Sequence, residues 1–167
     1  VRIKYFGHAC ILIESSTCSI LVDPVISYSY DNGISRYTYE DLPNSIDYLV
    51  ITRAHLDHLL IEHLLQLRYK VKTVVVPKSG VGFLQDPSLK LFFKYIGFKQ
   101  VIELDDLESI DLGAGNQITG VPFLGEHGDL NIQTKKAHHI SLNGKSILCA
   151  DDCNNIEPKM YQHIHKI

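Results

Sequence analysis

A dense group of potential metal ligands lies directly after an apolar segment, and this arrangement restricts the fold more than any other feature. Residues 46–51 have the composition of a buried strand, and the next seven residues read Thr-Arg-Ala-His-Leu-Asp-His. Imidazole and carboxylate groups are common ligands of zinc and non-haem iron, and a loop leaving a rigid strand can direct His55, Asp57 and His58 to one point. The alternative is a polar helix start, with Asp57 as the cap and two solvated histidines.

A second polar loop is predicted between strands in the last third of the chain. Residues 125–129 read Gly-Glu-His-Gly-Asp, so that a carboxylate and an imidazole lie between glycines that allow the backbone to approach a ligand closely. This pattern favours a site loop. The alternative is a polar surface turn, because turns are rich in the same residue types.

A third group, Asp151 and Asp152, follows the apolar residues 146–150. Adjacent carboxylates favour a nearby cation, since their like charges repel each other without one. One of the two could instead cap a helix that follows.

Taken together, these motifs resemble the metallo-β-lactamase superfamily, whose strand-to-loop signature is Thr-His-x-His-x-Asp-His. Arg53 stands at the first histidine of that signature, and a guanidinium has no lone pair to offer a metal. The resemblance implies that Asp152 bridges two metals, with Asp151 as the fallback, and that Asp23 accepts a hydrogen bond behind the ligand loop.

The loop at 125–130 is similar to the metal domain of the di-iron β-hydroxylase of chloramphenicol biosynthesis. That similarity implies Glu126 as a metal ligand, with His127 as the alternative. The ligand set implied by the resemblance is therefore His55, Asp57, His58, Glu126 and Asp152, with Asp57 also expected to act in catalysis.

The pattern of elements predicts an α+β fold, and the resemblance implies a four-layer αββα sandwich that is incomplete at the C-terminus. Short strands are expected at 3–6, 9–14 and 19–22 as an antiparallel meander, followed by helices after the ligand loop and from Asp86 and Pro87. Further strands are expected at 73–77, 99–104, 109–112, 117–121, 131–135, 139–142 and 146–150. A last helix is expected near Pro158, and residues 25–44 are expected to form a long loop beside the site.

Size and charge indicate a single domain over residues 1–167. The net charge is −3 and the basic residues are dispersed, which disfavours a nucleic-acid partner. The four cysteines form no Cys-x-x-Cys pair and lie mostly in apolar segments, so reduced thiols and a cytoplasmic location are expected. No apolar stretch reaches the ~20 residues that cross a bilayer, so no membrane partner is expected.

The resemblance implies a metal-dependent hydrolase that uses a metal-activated water on a small-molecule substrate, with one or two divalent ions, zinc or iron. A di-iron oxygenase of a biosynthetic pathway is the first alternative. A non-catalytic fragment is the second, because Arg53 replaces a ligand and should leave weak or single-site metal binding. The incomplete edge of the sandwich also suggests a homo-oligomer or a partner chain that covers it.

Overall fold

The computed structural model describes residues 1–26, 37–80, 85–123 and 132–153, which form ten strands, two short α-helices and a 3₁₀ turn at Tyr39–Asp41. The strands are β1 Arg2–Gly7, β2 Cys10–Glu14, β3 Ser19–Val22, β4 Ile46–Val50, β5 Val71–Pro77, β6 Gln100–Leu104, β7 Ser109–Gly113, β8 Asn116–Pro122, β9 Lys136–Leu142 and β10 Lys145–Cys149. The helices are α1 Ile61–Leu67 and α2 Leu89–Tyr95.

The first sheet has six strands in the order β1-β2-β3-β4-β5-β6. The pairs β1–β2 and β2–β3 are antiparallel, which confirms the predicted meander, and β3 to β6 run parallel. Parallel neighbours place their carboxyl ends at the same edge of a sheet. The residues that follow β3 and β4 therefore lie side by side.

Both helices cover one face of this sheet. Leu64 and Leu67 of α1 and Phe93 of α2 are fully buried against sheet residues such as Leu49 and Val74. The second helix begins at Leu89 rather than at Pro87, because the hydroxyl of Ser88 accepts the hydrogen bond from the Leu91 amide.

Four antiparallel strands form the second sheet, in the order β10-β9-β8-β7. The predicted hairpin between β9 and β10 is confirmed, with Asn143 and Gly144 at φ values of 49° and 72°. The predicted strand at 131–135 is wrong for its described residues. Residues 132–134 are not in a strand, and Lys135 makes only an isolated antiparallel bridge with Arg53.

The two sheets pack face to face through a second apolar cluster that includes Val22, Val50, Ile118 and Ile140. The described residues thus supply a helical layer and two sheets of the expected sandwich. The last helix, expected near Pro158, lies outside the described residues. A third apolar cluster, with Val121, Phe123 and Ala137, lies on the outer face of the second sheet. Among the described residues, no helix is long and apolar enough to span a membrane.

Candidate metal centre

The centre is built at the edge of the first sheet where β3 and β4 end. Asp23 follows β3, is fully buried, and adopts a positive φ of 42°. Its carboxylate accepts hydrogen bonds from the backbone nitrogen of Thr52 at 2.8 Å and from the Thr52 hydroxyl at 2.6 Å. Asp23, which follows β3, therefore holds the loop that begins at Thr52 after β4.

His58 is held by the same carboxylate. Its Nδ1 atom lies 2.8 Å from Oδ2 of Asp23, and 1% of the residue is exposed. Burial lowers the pKa of His58, while the hydrogen bond to Asp23 and its charge raise it, and the net shift of the pKa is upward. With Nδ1 donating to Asp23, the lone pair of Nε2 points to the opposite side, where a ligand atom is needed.

The guanidinium of Arg53 occupies that opposite side. It is 1% exposed, and its Nη2 atom lies 2.5 Å from Nε2 of His58 and in a close ion pair with Oδ2 of Asp152. Nη1 donates to the carbonyl oxygen of Asp151 at 2.8 Å, and Nε donates to Nδ1 of His55 at 3.1 Å. One buried cation thus contacts several of the predicted ligand residues.

Asp57, His58 and Asp152 present ligand atoms that all lie within 4.8 Å of one another. Nε2 of His58 is 3.5 Å from Oδ2 of Asp57 and 3.2 Å from Oδ2 of Asp152. The side chains of Asp57 and Asp152 are 45% and 32% exposed, so the group is open to solvent on the carboxylate side. Two carboxylates and one imidazole suit a single divalent ion, iron or zinc.

Charge in this region remains unbalanced towards the negative. Burial, followed by the nearby charge of Asp23, raises the pKa of Asp151. Arg53 pairs directly with one of them, Asp152. Asp57 contacts only the His58 ring in this group, so the exposed side can still accept a cation.

The structure places the sequence-predicted residues in different positions relative to this group. His55 lies beside Arg53 and outside the three-residue group, and Asp151 contributes its backbone oxygen. Glu126 and His127 lie outside the described residues. The ion pair of Arg53 in the structure is with Asp152.

Two contributors to the centre were missed at the level of the sequence. The Phe123 ring lies 5.3 Å from the Arg53 guanidinium carbon, a cation–π contact, and Lys136 donates its backbone N–H to the carbonyl of Thr52 at 2.8 Å. The second contact ties the ligand loop to β9 of the other sheet. Neither residue type carries a metal-site signal, so only the fold could reveal them.

An apolar cavity of about 380 Å³ adjoins the ligand loop. Ala54 and Leu56, which alternate with the ligand residues, form part of its wall together with Leu59 and Phe92. Asp86 supplies a carboxylate, and its Oδ2 atom accepts a hydrogen bond from the backbone of Thr134 at 2.5 Å.

Comparison with known proteins agrees with this architecture. The family model described as the β-lactamase superfamily domain matches residues 2–158. The chain belongs to the β-lactamase superfamily. The predicted fold class is therefore confirmed.

Relatives within the β-lactamase superfamily include a hydroxylase. The chain is 44% identical over 99% of its length to the 4-amino-L-phenylalanyl-[CmlP-peptidyl-carrier-protein] 3-hydroxylase of Streptomyces venezuelae, of which it covers 31%. It matches the crystal structure of CmlA, a diiron β-hydroxylase of that organism, with a TM-score of 0.86 and 43% identity, and covers 32% of that chain. The chain thus spans about a third of these relatives.

More distant matches include a metallo hydrolase and a protein whose activity is not part of its name. Igni18, a metallo hydrolase of Ignicoccus hospitalis, superimposes with a TM-score of 0.61 at 25% identity, over 89% of this chain and 59% of its own. A UPF0173 protein of Pyrococcus abyssi is 26% identical, over 84% of this chain and 59% of its own. The resemblance to the hydroxylase metal domain is confirmed as the stronger of these similarities.

Proposed function

We propose that this chain is the metal-binding domain of an iron-dependent oxygenase that hydroxylates an amino acid attached to a carrier protein. The observation that carries this proposal is the 44% identity to the Streptomyces venezuelae hydroxylase over 99% of the chain. Since the chain spans about a third of that relative, the substrate and the rest of the catalytic apparatus are part of the proposal.

The donor set supports iron. The partly exposed carboxylates of Asp57 and Asp152 would hold the ion beside His58 and Arg53, and the predicted Glu126 would add a further carboxylate from the loop at 125–130. Oxygen-rich, mixed N/O ligation suits iron, although zinc accepts the same ligand types. Bound iron would supply the activation of molecular oxygen.

Asp57 has the properties that a residue acting on solvent or substrate protons requires. Its side chain is 45% exposed, and its Oδ2 atom lies 3.5 Å from His58. We propose that Asp57 both binds the ion and moves a proton at its exposed oxygen, while Asp23 keeps the His58 ring in a fixed orientation.

The adjoining cavity supports an apolar or aromatic aminoacyl group as the substrate. Its wall of Ala54, Leu56, Leu59 and Phe92 is apolar, and Asp86 could accept a hydrogen bond from an amino group. Ala54 and Leu56 are direct neighbours of His55 in the chain, so a side chain bound there lies beside the ligand loop.

The test is a reaction of the iron-loaded protein with 4-amino-L-phenylalanyl carrier protein, a reductant and molecular oxygen. Hydroxylation adds one oxygen atom of O₂ to the substrate, and the reductant's two electrons and two protons convert the other to water. We expect mass spectrometry to show the gain of one oxygen atom on the aminoacyl group. The Asp57→Asn variant should lose this product, and an aminoacyl group that is released instead of oxygenated, or that Asp57→Asn oxygenates equally well, would contradict the proposal.

Hydrolysis is the second candidate, because Igni18 and other metal-dependent hydrolases share the fold. The same experiment separates the two functions. A hydrolase would release the amino acid and return an unloaded carrier protein, with zinc serving as well as iron. The outcome of the reaction therefore discriminates between the two chemistries on one substrate.

Location and assembly remain predictions. Cys10, Cys18 and Cys149 are free and buried, as a reducing compartment such as the cytoplasm permits. Ile3 and Tyr5 of the edge strand β1, and Val1 just before it, are at least half exposed, which supports a homo-oligomer or a partner segment covering that edge.

A further inference from the structure

We propose that the guanidinium of Arg53 replaces one of the superfamily's two metal ions as a permanent cation, so that the centre keeps its shape without metal and accepts no more than one ion. This inference constrains the metal content of the proposed oxygenase. It rests on the position, burial and contacts of Arg53, and it can hold even if the proposed oxygenase chemistry fails.

The position of the guanidinium is the first argument. Nη2 lies between Nε2 of His58 and Oδ2 of Asp152, two atoms that belong to the candidate metal-binding group. A metal shared by these two atoms would occupy the same space. The residues therefore do not fit a pair of metals, because one of the two positions already contains a protein cation.

Burial is the second argument. A charged group that is 1% exposed is costly unless it is paired and its donors are satisfied. Each nitrogen of Arg53 has a partner: Asp152 is its counter-ion, two histidine nitrogens and a carbonyl oxygen lie within hydrogen-bond distance, and the Phe123 ring lies beside it. These contacts stabilise the buried charge.

The contacts of His58 also place the guanidinium where a metal would bind. Nη2 lies 2.5 Å from Nε2, and Asp23 holds the other ring nitrogen, Nδ1, at 2.8 Å. With Nδ1 donating to Asp23, Nε2 offers its lone pair to Arg53, which has only donors. The same tautomer would present Nε2 to a metal. Arg53 therefore holds the ring in a form that is ready for a metal while occupying the metal's place.

The residual negative charge sets the capacity at one ion. The guanidinium is monovalent and permanently charged, whereas Asp57, Asp151 and Asp152 lie around it, with Asp57 and Asp152 partly exposed. A divalent ion can reach the exposed carboxylates of Asp57 and Asp152 from solvent. A second ion would have to displace a buried arginine.

The experiment compares wild type with Arg53→His, Arg53→Met and Arg53→Lys, using Zn²⁺ and, without oxygen, Fe²⁺ as probes. Metal content is counted after dialysis, and the melting temperature is measured with EDTA and with added metal. Wild type should hold at most one ion, and added metal should raise its melting temperature by less than it raises that of Arg53→Met. Arg53→His should hold more metal than wild type.

The second part of the test asks whether metal can replace the stabilising charge of Arg53. Arg53→Met should melt at a lower temperature than wild type in EDTA, because Asp152 loses its buried counter-ion, and added metal should restore much of the difference. Arg53→Lys keeps the charge without the planar fork and should fall between them. Arg68→Met is the matched control, since Arg68 contacts Tyr69 and the carbonyl of Ile96 away from the centre, and metal should not restore its stability.

Two results would overturn the inference. Two tightly held ions in wild type would show that Arg53 leaves both metal positions open, and an Arg53→Met protein no more responsive to metal than wild type would show that the guanidinium does not compete with metal. If Arg53→His does not fold in EDTA, the wild-type count and its response to EDTA still decide. Wild type without any metal, together with metal binding by Arg53→His, would end the oxygenase proposal and support the role of Arg53.

Discussion

At the residue scale, Asp23 supports the ligand loop from behind. Its carboxylate accepts hydrogen bonds from the Thr52 amide, the Thr52 hydroxyl and the His58 ring, and it is completely buried. The geometry of His58 therefore depends on a residue that need not contact metal itself.

Replacing Asp23 with Asn should destabilise the protein and disorder the His58 ring. The remaining oxygen can still accept the hydrogen bond of the Thr52 amide. The new NH₂ group faces the donors of Thr52 and His58, and this loss of two acceptor contacts should lower the free energy of unfolding by about 1–3 kcal/mol. Urea denaturation measures this change. Asp47→Asn is the control, since Asp47 also accepts from a backbone amide, that of Ser19, but is partly exposed, and it should cost less.

His138 is a second residue with a measurable consequence. It is fully buried on β9, opposite Gly120 and Cys149, and burial followed by the charge of Lys136 lowers its pKa to about 3. The folded state thus holds the neutral ring. The burial of His138 therefore leaves the free energy of unfolding unchanged above pH ~6.5, the pKa of histidine in the unfolded chain. This free energy decreases as the pH falls from there towards 3.

The variant His138→Leu should therefore remove part of the acid sensitivity. The unfolding free energy of wild type relative to the variant should fall by about 1.4 kcal/mol per pH unit below pH ~6.5, which denaturation at several pH values measures. Taking the difference removes the contribution of carboxylates such as Asp47 and Asp105, which titrate in both proteins. The exposed His8→Asn variant should show the wild-type profile, and parallel profiles for wild type and His138→Leu would contradict the assignment.

At the element scale, much of the fold follows from local pattern. The strand at Ser19–Val22 and the Asn143 and Gly144 hairpin follow directly from β-branched residues and turn chemistry. The strand expected at 131–135 fails over 132–134, where Thr134 instead donates its amide to Asp86. Asp86 is therefore engaged with Thr134 and does not begin α2. Its partner is 48 positions away in the sequence, so a local pattern could not reveal this contact.

Close packing of β8 provides a test at this scale. A Cβ atom on Gly120 would lie 2.5 Å from the backbone oxygen of Asp105 and 3.4 Å from the side chain of Lys136. Gly120→Ala should therefore cost roughly 1–3 kcal/mol of unfolding free energy, because the backbone around Asp105 must shift. Gly80→Ala, where a Cβ meets nothing within 4 Å, should change stability little, and equal costs for the two variants would contradict this packing.

At the scale of the whole molecule, the centre brings together residues from three parts of the chain. Asp23, the loop at 52–58 and Asp152 meet because β3 and β4 are parallel neighbours and β10 ends at the same side of the sandwich. The sequence could identify candidate ligands from their spacing. It could not identify which carboxylate pairs with Arg53, because Asp152 lies 99 positions away and local pattern gives no distance between them.

The most direct measurement counts the iron and zinc ions that wild-type protein retains when it is purified without oxygen from cells supplied with both metals and dialysed against metal-free buffer. A centre that contains Arg53 in place of one metal should retain at most one ion per chain, and that ion should be iron. Two tightly held ions per chain would contradict the role of Arg53. Stoichiometric zinc without iron would contradict the oxygenase and favour a hydrolase.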